Sequence, residues 1–133
     1  MTGAIATILV IDDSSSVRTL ARAALERAGY DVVDACDGSD AMERLDGRAF
    51  GVIVCDLSMP RMDGLNFLRY LRNHPRYKFT PLAMLSTETR PDIRSDVRTA
   101  GAQAFITKPC TPAALVDTVK RLCVGSPRWT MPT

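Results

Sequence analysis

The chain has 133 residues, 46% hydrophobic and 24% charged, with a formal net charge of +2. That length suits one domain with a real core, and the composition is that of an ordinary soluble globular protein. The small charge, with no Lys/Arg block to concentrate it, argues against nucleic acid as a partner; no apolar run reaches membrane-spanning length, and residues 1–6 lack a signal peptide's basic and apolar regions, so no membrane contact and a cytoplasmic location are expected.

After the lead over 1–6, residues 7–11 form a short apolar run of strand type that ends in Asp12-Asp13. Ser14 suits an N-cap. Val17, Leu20, Ala21, Ala24, Leu25 and Ala28 then keep helical spacing until Gly29. Residues 31–35 read as a second strand, polar enough for a sheet edge. Asp37-Gly38 turns the chain, and a short helix over 39–45 points Ala41, Met42 and Leu45 inward. The run 52–55 is too short for a buried helix and rich in β-branched residues, so it reads as a buried strand leading into Asp56. A loop over 58–64 carries the turn signals Pro60 and Asp63-Gly64.

A helix over 65–73 then places Leu65, Leu68 and Leu71 on one face, and Pro75 breaks it. The connection over 76–80 is polar and aromatic, and a strand over 81–85 follows. Pro91 opens a fourth helix with Ile93, Val97 and Ala100 inward, and Gly101 closes it. Residues 104–106 form the fifth strand. Thr111-Pro112 then caps and opens a helix with Leu115, Val116, Val119 and Leu122 on its apolar side. Five alternations of strand and helix predict a parallel sheet with helices on both faces. The tail 125–133 has two prolines and no periodicity and is expected to be flexible.

The four cysteines, Cys36, Cys55, Cys110 and Cys123, form no C-x-x-C pair and read as reduced, mostly buried small residues. His74, the single histidine, reads as a helix-end residue, so neither zinc nor a Ser-His-Asp arrangement is expected.

The chemistry gathers at the carboxyl ends of the predicted strands, the edge at which open α/β sheets bind ligands. One such end carries Asp12-Asp13, another Asp56, a third Ser86-Thr87, and a fourth Thr107-Lys108-Pro109. Two carboxylates about 5 Å apart repel by roughly 3 kcal/mol at an effective dielectric near 20. Three together call for raised pKa values or a cation. All-oxygen donors without His or Cys favour a hard ion, best Mg²⁺. A metal-bound carboxylate with a lysine and a hydroxyl in reach suits phosphoryl chemistry, the carboxylate serving as nucleophile.

From about Thr7 to Val124 the chain resembles a response-regulator receiver domain. The matching residues are Asp12-Asp13, Asp56 with Met59-Pro60-x-Met62-Asp63-Gly64, Ser86-Thr87, and Gly101-Ala102-x-x-Phe105-Ile106-x-Lys108-Pro109. Residues 77–81 and Ser86-Thr87-Glu88 are similar to the stand-alone chemotaxis regulators, the CheY-like branch. The resemblance implies a (βα)5 flavodoxin-like, doubly wound parallel sheet of five strands in order 2-1-3-4-5. It implies Asp56 as acceptor of a phosphoryl group from a histidine kinase. Mg²⁺ would be held directly by Asp13, Asp56 and the Ser58 backbone carbonyl, and through water by Asp12. Lys108 would pair with Asp56 and later with phosphoryl oxygens. Ser86 and Phe105 would form the switch, and a downstream protein would bind the face made by the fourth helix, fifth strand and fifth helix. A cis Lys108-Pro109 bond is also implied. Monomer and phosphorylation-dependent dimer both stay open.

Some residues depart from the family pattern: Thr87 stands where Ala is frequent, Cys110 where Phe is common, and Phe105 where a hydroxylated aromatic or Trp is frequent. Ser58 and Glu88 leave the phosphoryl lifetime open. Arg90, Arg94 and Arg98 fall at helical spacing, as a solvated face or a contact for an acidic partner. Chemotaxis signalling is the leading expectation, with a non-motility phosphorelay or kinase regulation as the alternative. A Mg²⁺-dependent aspartyl phosphatase needs a second acid just after the nucleophile, but Leu57, Ser58 and Met59 follow Asp56. A flavin or nucleotide module lacks its glycine-rich loop after the first strand.

Overall fold

The computed structural model describes residues 5–125. The 126–133 part of the predicted flexible tail and residues 1–4 of the lead lie outside the described residues. The elements alternate as β1 (Thr7–Ile11), α1 (Ser15–Arg27), β2 (Asp31–Ala35), α2 (Gly38–Arg44), β3 (Val52–Asp56), α3 (Gly64–Arg72), β4 (Leu82–Ser86), α4 (Pro91–Thr99), β5 (Ala104–Thr107) and α5 (Pro112–Leu122). All strand pairs are parallel, in the order β2-β1-β3-β4-β5. This is the five-stranded doubly wound sheet that the resemblance implied, with the polar strand β2 at one edge.

The sheet separates two apolar clusters because successive strand residues point to opposite faces. Ile8, Val10, Val52, Val54, Ala83 and Leu85 pack with Ala21 and Leu25 of α1 and Leu115 and Val119 of α5. Leu9, Ile11, Ile53, Cys55, Leu82 and Met84 pack with Ala41 of α2, Phe67, Leu68 and Leu71 of α3, and Val97 of α4. Strands β3 and β4 are buried along their whole length. That is why they read as continuous apolar runs rather than alternating ones.

The helix starts follow from side-chain caps. Ser14 Oγ accepts from the Val17 N–H, Asp37 from Asp40, Asp63 from Asn66, and Thr111 from Ala114. Two expected starts move by one residue. Asp37 and Asp63 are N-caps, so Gly38 and Gly64 are the first helical residues rather than turn residues. An Asp-Gly pair fits a turn and a cap equally, and only the downstream N–H in reach of the carboxylate decides between them. Strands β4 and β5 each reach one residue further than expected, to Ser86 and Thr107.

Other side chains depart from expectation. Leu20, on the apolar spacing of α1, is 67% exposed. Of the four cysteines only Cys55 is buried; Cys110 and Cys123 are half-buried and Cys36 is exposed, because it follows the end of the edge strand β2. Tyr77, within the connection read as polar and aromatic, is fully buried. Its hydroxyl accepts from the Gly47 N–H at 2.8 Å and donates to the Arg48 carbonyl at 2.7 Å. His74 follows α3 as expected, and its Nδ1 accepts from the Arg76 N–H.

Tyr77→Phe keeps the ring and strands those two backbone groups. Urea unfolding should show a loss of about 1–3 kcal/mol. A change within error would mean that water reaches the loop over 47–48 freely.

Candidate functional site

The parallel register brings the strand ends together. Ile11 closes β1 opposite Cys55, Asp56 pairs with Leu85, and Ser86 pairs with Thr107. Backbone bonds carry the ladder one step past the strands. The Asp12 N–H donates to the Ala35 carbonyl, Leu57 to Leu85, and Lys108 to Ser86. The loops bearing the polar side chains therefore leave the sheet in fixed directions.

Asp12, Asp13 and Asp56 each offer a carboxylate oxygen, and these oxygens lie within 4.8 Å of one another. Asp12 and Asp56 are buried, at 1% and 4% exposure, whereas Asp13 is exposed. Lys108 Nζ bridges the buried pair, 2.8 Å from Asp12 Oδ2 and 3.2 Å from Asp56 Oδ1. The lysine was expected on Asp56; its shorter bond is to Asp12. The other Asp12 oxygen accepts from the Ser14 N–H at 2.9 Å.

Burial pushes the Asp56 carboxyl above its ordinary range, and the neighbouring Asp12 charge adds to the rise. Lys108 and the Ser58 backbone amide pull the other way without cancelling it. For Lys108, burial alone would lower the ammonium. Hydrogen bonds and charge from Asp12 and Asp56 outweigh burial and hold it above its ordinary value. The donor set fits a hard divalent cation: one ammonium opposes three carboxylates, every donor is oxygen, and one carboxylate faces solvent.

The loop after Asp56 is shaped by sterics. A Cβ on Gly64 would collide with the Asp56 carbonyl oxygen and come within 2.8 Å of Met84 Sδ. Glycine is thus required where α3 starts beneath the strand end. Arg61 has φ of 68° and centres a γ-turn in which the Met62 N–H donates to the Pro60 carbonyl at 2.7 Å.

Ser86 is buried, and its hydroxyl accepts from the Glu88 N–H at 2.9 Å. The Glu88 carboxylate is turned to its own loop, accepting from the Thr89 and Arg90 N–H groups, and it pairs with Arg90. Phe105 is half-buried, with the Arg94 guanidinium 4.7 Å from its ring centroid. The Lys108-Pro109 bond is cis. Cys110, beyond it, lines an apolar cavity of about 390 Å³ with Val17, Leu20 and Leu115, where a larger residue would fill space.

Arg18 stands out in the structure but not in the sequence pattern. Its Nη1 donates to the Asp12 carbonyl at 2.6 Å. The available signal was an arginine one turn into α1 between Val17 and Ala21, both on the inward side of the helix.

Among the described residues, no helix is long and apolar enough to cross a membrane. A family model described as "Response regulator receiver domain" matches residues 8–120. The chain is 38% identical to chemotaxis protein CheY1 of Helicobacter pylori, over 83% of this chain and 90% of that protein. It is 33% identical to protein PilG of Pseudomonas aeruginosa, over 85% and 84%. The structure of the chemotaxis protein CheY4 of Vibrio cholerae superimposes with a TM-score of 0.85 at 39% identity, covering 90% of this chain and 99% of that one.

The raised Asp56 carboxyl has a consequence for stability without metal. A folded-state pKa above the unfolded value of about 3.9 means that the folded protein holds the proton more tightly. Stability therefore falls as pH rises from the unfolded value through the folded one, so ionising the group costs stability. Asp56→Asn removes the charge and leaves Lys108 bonded to Asp12. With a chelator at pH 7, thermal unfolding should show a higher Tm than wild type. A lower Tm would mean that the bond between Lys108 and Asp56 outweighs burial.

Proposed function

The chain belongs to the response regulator receiver domain family of two-component signalling, and from that premise we propose that Asp56 accepts a phosphoryl group from a histidine kinase in a Mg²⁺-dependent reaction. The observation that carries this reading is the carboxylate cluster with Lys108 bridging its two buried members. Asp12, Asp13 and Asp56 would hold the Mg²⁺ with the Ser58 carbonyl, Asp12 acting through water. When bound, the ion supplies charge neutralisation for the phosphoryl oxygens.

An Asp56 carboxylate oxygen attacks phosphorus, the new O–P bond forms, and the P–N bond to the donor's imidazole breaks. The electron pair leaves on that nitrogen. Lys108, already an ammonium, exchanges its contact with Asp56 for the phosphoryl oxygens. The Ser86 hydroxyl leaves the Glu88 N–H and donates to a phosphoryl oxygen. Phe105 then turns inward as the serine leaves its resting place.

Moving such a switch from 1:99 to 99:1 takes about 5.5 kcal/mol of differential interaction. Two or three charge-assisted hydrogen bonds at about 1.5–3 kcal/mol each are of the right size. The shifted α4–β5–α5 face then binds a downstream protein, in the cytoplasm and without nucleic acid or membrane. Its receiver neighbours in CheY proteins favour chemotaxis as the output. Relay signalling apart from motility is the second reading. In its favour, the chain is also 34% identical to a segment of the sensor kinase/phosphatase CqsS of Vibrio cholerae, which makes up 16% of that protein.

Intact mass after incubation with acetyl phosphate and Mg²⁺ tests the chemistry. One phosphoryl adduct is expected, absent with chelator and absent in Asp56→Asn. Lys108→Ala should slow its formation by about 10²-fold or more, in the range of losing an oxyanion-stabilising donor. An adduct that survives in Asp56→Asn would assign the chemistry to another acid.

A further inference from the structure

Every polar group of Asp12 has a partner. Its N–H donates to the Ala35 carbonyl, one carboxylate oxygen accepts from Ser14 and the other from Lys108, and its carbonyl accepts from Arg18 Nη1 at 2.6 Å. Asp13 is the opposite case. It is exposed, and among the described residues nothing hydrogen-bonds its carboxylate. Its direction therefore depends on the backbone that carries it, and the peptide plane joining Asp12 to Asp13 is the one whose oxygen Arg18 grips. Arg18 is itself anchored. It sits in the first turn of α1, its side chain is 20% exposed, and its Nε lies 3.8 Å from Asp34 Oδ2 at the edge strand. Arg22 holds Asp34 from the next turn, at 3.4 Å.

We propose that Arg18 is a positioning residue for the divalent cation: by fixing the Asp12–Asp13 peptide it aims the untethered Asp13 carboxylate into the cluster. This rests on reading Asp12, Asp13 and Asp56 as the Mg²⁺ site. The effect has a sign that electrostatics alone does not give. A guanidinium beside a dication site repels the ion, so removing its charge would tighten Mg²⁺ binding. Loss of a group that orients a metal ligand weakens it instead.

Isothermal titration calorimetry of the whole chain with MgCl₂ separates the two. Arg18→Gln should bind Mg²⁺ about tenfold more weakly than wild type, the lower end of the range for groups that orient metal ligands. Asp34→Asn, which removes the anchor but not the bond to Asp12, should stay within about twofold. Arg18→Lys keeps the charge and an N–H donor group but not the planar fork, so it should weaken binding by about threefold. Urea unfolding without metal establishes that each variant is folded. If Arg18→Gln is not, Arg18→Lys decides alone. Unchanged or tighter binding in the Arg18 variants, with wild type binding normally, overturns the inference. So does an equal loss in Asp34→Asn, which would put the effect in the link between α1 and β2. A wild type that takes up no Mg²⁺ and forms no Asp56 adduct overturns the metal reading itself, and the inference with it.

Discussion

The Lys108 ammonium sits between two buried carboxylates, 2.8 Å from Asp12 and 3.2 Å from Asp56, and the sheet edge depends on it. Two such charges less than 5 Å apart repel by about 3 kcal/mol even at an effective dielectric of 20. Nothing in the strands relieves that repulsion. The relief comes from a residue 96 positions away from Asp12, delivered by β5 across the intervening strands β3 and β4. The bridge therefore ties the ends of β1 and β3 to the loop after β5.

The arrangement is tolerable because the strands below are held by other forces. Apolar clusters on both faces fix the register, and the ladder bonds to Asp12, Leu57 and Lys108 extend it into the loops. The site places its electrostatic cost at the edge of a scaffold held by these apolar clusters. Such an exchange of local stability for poised charge is common where chemistry is done.

The groups proposed for the switch are restrained in the same economical way. The Ser86 hydroxyl is held by one backbone N–H, and Phe105 lies under one guanidinium. Each restraint is a single neutral bond or ring contact, worth about 1 kcal/mol. Each is weaker than the charge-assisted bonds on which the proposed switch would draw. The Glu88 carboxylate is committed to capping its own loop and to Arg90.

Much of this was written along the chain. Five alternations of short apolar runs with helical spacing determined the parallel α/β sheet, because burial on both faces demands continuous apolar strands. The polar composition of residues 31–35 placed that strand at an edge. The acids, hydroxyl and lysine directly after those runs determined which side chains could meet, because strand ends in a parallel sheet share one edge. What the sequence left open was distance and partner. It could not say that Lys108 lies closer to Asp12 than to Asp56, that Asp63 caps a helix instead of turning a loop, or that Tyr77 is buried with its hydroxyl bonded to residues 47 and 48. Nor could it show that Arg18 holds the backbone between two acids. Those outcomes depend on which donors and acceptors come within 3 Å after all the layers have packed. Local spacing does not encode that proximity, and only the tertiary structure decides it.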